Sequence, residues 1–273
     1  MTTRRPRPRT TARAALAALL LAALLPVLGS SPSAATTAQA LPPLDVSQHL
    51  RIMPLGDSIT AGTGSSTGDS YRWDLIRYLT DVQQIYVTTY VGSQTGGQEP
   101  TPRHEGHSGW RIDELSAQIS TWMATYQPDV VLVHAGVNDA RQGADAQTMA
   151  DRMAVLLSRI LAASPNVRII VGDIVPPWYG TTQDIASLAV QRFDGLLPSV
   201  VAAAGPRVSL ARMSAAIPSG QLPDGLHPGD TGYRYMAWTW WRCMAPLLSA
   251  DGITRSGANP LPVPVRQSDL CPN

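Results

Sequence analysis

Apolar residues along the chain alternate between two periods. Short runs rich in Val, Ile and Leu occur at 51–55, 85–91, 129–135, 167–175 and 207–210, with the length and β-branched content of strands. Two of them, from Val130 to Val133 and from Val167 to Val171, are almost unbroken by polar residues. That pattern suits strands buried on both faces of a parallel sheet. Between the runs, Ile112, Leu115, Ile119, Trp122, Met123 and Tyr126 recur at three- and four-residue steps, as do Met149, Met153, Leu156, Leu157, Ile160 and Leu161. Each set predicts a helix with one apolar stripe, and further helices are expected at about 70–81, 183–203 and 229–245. Strands alternating with helices predict a doubly wound α/β fold: a three-layer α/β/α sandwich around a central, mainly parallel five-stranded sheet, flavodoxin-like in kind. The irregular stretch 92–109 is expected to be a loop at the rim of a site.

One apolar run does not belong to this scheme. Ala14 to Leu28 follows Arg4, Arg5, Arg7, Arg9 and Arg13, and precedes the small-residue site Ala38-Gln39-Ala40. This is the layout of a secretory signal peptide over 1–40, which leaves one domain at 41–273 with a proline-rich C-terminal tail and predicts a secreted protein. The run falls short of the roughly 20 residues a spanning helix needs. No later segment is expected to span a membrane, so stable insertion after cleavage is not anticipated. The route of export, the exact cleavage site and the oligomeric state stay open.

Charge then narrows the partners. The chain carries 21 basic side chains, all arginine, against 20 acidic ones. With five arginines in the leader, the remaining sixteen face those 20 acids, a formal charge of −4. A nucleic-acid surface requires clustered positive charge, so nucleic acid is excluded as a partner. The absence of lysine removes Schiff-base chemistry and the lysine-bearing phosphate loop. Cys243 and Cys271 are too few for a cysteine-ligated zinc site and, in an exported chain, predict one disulfide.

In a parallel α/β sheet, reactive residues fall just after strands. Gly56-Asp57-Ser58 ends the first strand, where a tight strand-to-helix turn can present a serine hydroxyl. Asp224-Gly225-Leu226-His227-Pro228 precedes the last helix, where an Asp three residues before a His can accept from one ring nitrogen and leave the other free. Each segment alone also reads as an ordinary turn or helix cap. Gly136-Val137-Asn138-Asp139 adds a side-chain amide after the central strand, and Gly106 in the long loop adds an unobstructed N–H. Acyl transfer needs such donors aimed at a developing oxyanion.

The four segments, in this order, resemble the SGNH (GDSL-type) hydrolases over about residues 51–245. The resemblance implies a serine esterase without a cofactor or metal. In it Ser58 is the nucleophile, His227 the general base and acid, and Asp224 its orienting partner, with Ser58, Gly106 and Asn138 forming the oxyanion hole. The string His104-Glu105-Gly106-His107-Ser108-Gly109-Trp110-Arg111 is most similar to a subgroup containing acetylxylan esterases. It points to an acylated carbohydrate, or another small ester, as substrate. Asp57, Trp110 and Trp178 are the expected substrate contacts. A lipase or phospholipase on the same triad, and a non-catalytic carbohydrate-binding protein on the same scaffold, are the rival readings.

Other motifs are set aside. Gly64-Ser65-Ser66-Thr67-Gly68 matches a nucleophile elbow but has no strand directly before it. His104 and His107 are three apart around a glycine, not four apart on a helix as a zinc motif requires. His134 is expected to be a hydrogen-bonded core histidine, and Trp238, Trp240 and Trp241 to pack in the core.

Overall fold

The computed structural model describes residues 41–44, 49–82, 88–98, 103–175, 177, 185–248, 259–261 and 265–272. The expected leader, 1–40, and Trp178 lie outside them. Among the described residues, seven strands form one sheet: β1 (Leu50–Gly56), β2 (Thr88–Tyr90), β3 (Gln94–Thr95), β4 (Arg103–Gly106), β5 (Val130–His134), β6 (Arg168–Gly172) and β7 (Val208–Ala211). The helices are α1 (Ser58–Ala61), α2 (Arg72–Arg77), α3 (Ile112–Tyr126), α4 (Val137–Arg141), α5 (Ala146–Ala163), α6 (Ile185–Ala204), α7 (Met213–Ala216), α8 (Asp230–Leu248) and α9 (Gln267–Leu270).

The five expected strands are parallel neighbours in the order β2-β1-β5-β6-β7. Renumbered along the chain this is 2-1-3-4-5, the flavodoxin-like winding. Two short strands extend it. β4 pairs in parallel with the C-terminal end of β1, and β3 pairs with β4 antiparallel. Both fall in 92–109, which the hydrophobic pattern leaves as loop.

Side chains alternate across the sheet as the pleat requires. Ile52, Val130, Leu132 and Ile170 join Tyr71 and Leu75 near and on α2, and Trp240, Trp241 and Met244 on α8. Met53, Val131, Val133, Ile169 and Val171 face α3, α5 and α6 through Ile119, Leu157 and Phe193. The expected tryptophan packing is seen: Trp240 and Trp241 are wholly buried, and Tyr78 stacks on Trp241 at 5.4 Å. Burying each large apolar side chain of this kind contributes about 1.5–3 kcal/mol.

Helix α6 is long and apolar enough to cross a membrane by length and composition alone, which the sequence pattern does not anticipate. It lies on the sheet instead, with Val190, Phe193 and Leu197 in the core and Asp194 accepting from the Ile174 N–H at 3.0 Å.

Cys243 of α8 and Cys271 form the expected disulfide, 28 residues apart. The tail is also held where Arg212 N–H donates to the Leu270 carbonyl at 2.7 Å. Leu261 and Leu270 sink into the α8 side of the core.

Candidate active site

Sheet register assembles the site. Gly56 on the central strand β1 stands opposite Gly106 of β4 on one side and His134 of β5 on the other. The residues that follow these three positions therefore leave the same edge of the sheet together. Gly56 has no room for a side chain, since a Cβ there would lie 2.2 Å from the His134 carbonyl oxygen.

Ser58 opens α1, capped by Asp57, whose Oδ1 accepts from the Ile59 N–H at 2.9 Å. At the first helical position the Ser58 N–H has no acceptor within its own helix. Ser58 Oγ lies 2.9 Å from His227 Nε2. On the other side of that ring, Nδ1 is 2.7 Å from Asp224 Oδ2. The second carboxylate oxygen, Asp224 Oδ1, accepts from the Leu226 and His227 N–H groups at 2.9 and 2.7 Å. Partial burial raises the Asp224 pKa, but the hydrogen bonds from His227 and Leu226 outweigh it and hold the value at about 2. An ionised Asp224 accepts from Nδ1–H, which leaves Nε2 as the acceptor facing the serine hydroxyl. Helix α8 starts at Asp230, so Pro228 precedes the helix rather than opening it.

The donors are arranged less simply. Gly136, at φ +144°, turns the chain into α4 and brings Asn138 to the sheet edge. Asn138 Nδ2 donates one hydrogen to the Trp110 carbonyl at 3.0 Å, leaving its second amide hydrogen for the site. Gly106 packs so closely on α1 that a Cβ would meet the Ala61 nitrogen at 2.4 Å. Its N–H is already engaged, donating to His104 Nδ1 at 3.0 Å. Burial, with the nearby Arg72 and His107 charges, pushes the His104 pKa down to about 3, so the ring is neutral and accepts.

The remaining expected residues separate. Asp57 is wholly buried, and its side chain is taken up in capping α1. Trp110 is half-buried and stacks on His107 at 4.3 Å. His134 is buried, as expected, and backbone groups at His134 and Asp173 act on its ring. Burial drives its pKa to about 4 and keeps it neutral.

Residues that brace the site came from segments with no motif of their own. The 62–68 turn, which contains the Gly64–Gly68 string set aside as a nucleophile elbow, lies over the histidine loop. Asp230 accepts from Ser66 N–H and Oγ at 2.8 and 2.7 Å, and Tyr233 OH donates to the Thr63 carbonyl at 2.6 Å. A Cβ on Gly64 would lie 3.0 Å from the His227 Cβ. These hydrogen-bonded partners are 164 and 170 residues apart in sequence, so no local spacing announces them.

Residues 55–235 match the GDSL-like lipase/acylhydrolase family. The chain belongs to that family. Among solved structures, this acylhydrolase-family chain is similar to a family 3 carbohydrate esterase of Clostridium thermocellum, with 32% identity and a TM-score of 0.65. That match covers 75% of this chain and all of the other. A carbohydrate esterase family 3 structure from Talaromyces cellulolyticus is 26% identical with a TM-score of 0.59, covering 69% of this chain and 93% of that one. A multidomain esterase of Ruminococcus flavefaciens is 25% identical over 234 residues, 74% of this chain. The chain spans 29% of that relative's length, and 60% of another curated relative from Acetivibrio thermocellus that is 28% identical over 145 residues.

Proposed function

We propose that this acylhydrolase-family chain is a secreted serine esterase that removes acetyl groups from carbohydrate, with acetylated xylan as the leading substrate. The observation that carries the reading is the unbroken line from Ser58 Oγ through His227 (2.9 Å) to Asp224 (2.7 Å). In the mechanism, His227 Nε2 takes the serine proton as Oγ attacks the ester carbonyl. Asp224 stabilises the imidazolium that results. The tetrahedral oxyanion is met by the Ser58 N–H and the second Asn138 amide hydrogen, and by the Gly106 N–H once it is shared with or released from His104. His227 then protonates the departing alcohol, and water repeats the sequence on the acyl-enzyme. The carbohydrate preference draws support from the similar carbohydrate esterases and from the half-buried Trp110 beside Asn138. Export rests on the 1–40 leader.

The test expresses the chain with its leader and assays the protein recovered from the medium. Ser58→Ala should abolish both labelling by an organophosphorus probe and acetate release from acetylated xylan. Equal labelling of both proteins would remove Ser58 from its role. Faster turnover of long-chain acyl esters than of acetyl esters would favour the lipase reading, and retention inside the cell would remove the export proposal.

A further inference from the structure

Asn138 can serve an oxyanion only if its amide nitrogen, not its oxygen, faces the reacting carbonyl. A primary amide turns readily about its last side-chain bond, and a reversed amide would place a partial negative charge where negative charge develops. The Trp110 carbonyl prevents this reversal, because it can only accept, and it takes one Nδ2 hydrogen at 3.0 Å. What holds Trp110 therefore controls the donor.

Trp110 is held by two residues that flank Gly106. The Glu105 carboxylate is wholly buried, and it accepts from Ser93 N–H and Oγ at 2.6 and 2.8 Å and pairs with His107 Nε2 at 2.9 Å. The His107 ring, fixed at that edge, lies 4.3 Å from the Trp110 ring at 22° and 4.9 Å from the Trp122 ring at 8°. The Trp110 N–H donates to the His107 carbonyl at 3.1 Å, closing the turn. Beyond Trp110, Ile112 N–H donates to Asp139 Oδ2 at 2.9 Å, so the loop meets α4 again at the residue after Asn138. A buried carboxylate costs several kcal/mol to desolvate and persists only where donors compensate it. Here those donors converge on one imidazole and one loop.

We propose that Glu105 and His107 are positioning residues for the acyl-transfer step: Glu105 fixes His107, His107 fixes Trp110, and the Trp110 carbonyl aims the Asn138 amide at the oxyanion. The proposal rests on the reading of Asn138 as an oxyanion donor. Neither Glu105 nor His107 touches the substrate in this scheme.

A double-mutant cycle tests it, with kcat and KM measured for acetyl-ester hydrolysis and active sites counted by organophosphorus titration. Asn138→Ala should lose about 100-fold in kcat. Glu105→Gln, and independently His107→Phe, which keeps a stacking ring but cannot pair with the carboxylate, should each lose roughly tenfold, as orienting partners do elsewhere. KM should stay within about twofold in each, because the interaction lost belongs to the transition state. The deciding measurement is the pair Glu105→Gln with Asn138→Ala, which should be no slower than Asn138→Ala alone, since a residue that acts through Asn138 has nothing left to position. Multiplying losses would overturn the proposal, as would a variant that melts earlier while keeping the native kcat per titrated site. If Glu105→Gln does not fold, His107→Phe carries the same cycle. An unchanged rate in Asn138→Ala would instead remove the underlying oxyanion reading.

Discussion

The Asp57 carboxyl sits one residue before Ser58 with Oδ1 occupied by the Ile59 N–H and Oδ2 without a partner among the described residues. Desolvation raises its pKa from 3.8 to about 7, against the lowering effect of the Ile59 hydrogen bond. The folded chain therefore keeps this proton through the interval in which the unfolded chain loses it. By linkage, the stability associated with the group is complete below about pH 4 and declines as pH rises toward 7. Asp57→Asn retains the acceptor for Ile59 and cannot ionise. Its denaturation midpoint should gain on the native protein's as pH is raised from 4 to 7, and parallel curves would show that Asp57 is not the titrating group. Much at this scale is legible in the sequence. Asp224 and His227 are three residues apart, and the four segments stand in one order, three of them at strand ends and the last just before α8. What the sequence does not carry is direction: that Asp57 turns inward as a cap, and that the His104 ring engages the Gly106 N–H. Each depends on contacts across the sheet.

The same division holds for elements. Five strands and the long helices announce themselves through apolar periodicity, whereas β4 reads Arg-His-Glu-Gly and has no apolar signal. Its pairing with β1 is made by tertiary packing, which routinely overrides strand propensity. The disulfide is legible because two cysteines leave one pairing. It ties the C-terminal half of α8 to the end of α9, whereas His227 lies in the loop before α8 begins. Its loss should therefore act on stability and not on chemistry. Replacing both cysteines by serine should remove roughly 3 kcal/mol in the chain-entropy model, a fall in melting temperature of about 6–12 °C for a domain of this size. At 25 °C the kcat should remain within about twofold. A marked loss of kcat in fully folded protein would mean that the tail reaches the site.

On the scale of the whole molecule, the sheet is what makes a site out of distant segments. Gly106, Gly56 and His134 share one register level, and the turn at 62–68 braces the loop that brings His227 back over Ser58. The contact between Ser58 and His227 spans 169 positions. Consequently, a ribosome that has released the chain only as far as β7 has made a nucleophile with no base. Hydrolytic power should arise only when the last long helix docks, after most of the sheet has closed, because such distant contacts bear the greatest loop-closure entropy. In a refolding time course, tryptophan fluorescence should report collapse first and organophosphorus labelling should lag behind it. Simultaneous recovery would mean that the two ends meet early. For a chain exported as proposed, that delay would keep it silent toward cytoplasmic esters until it is whole.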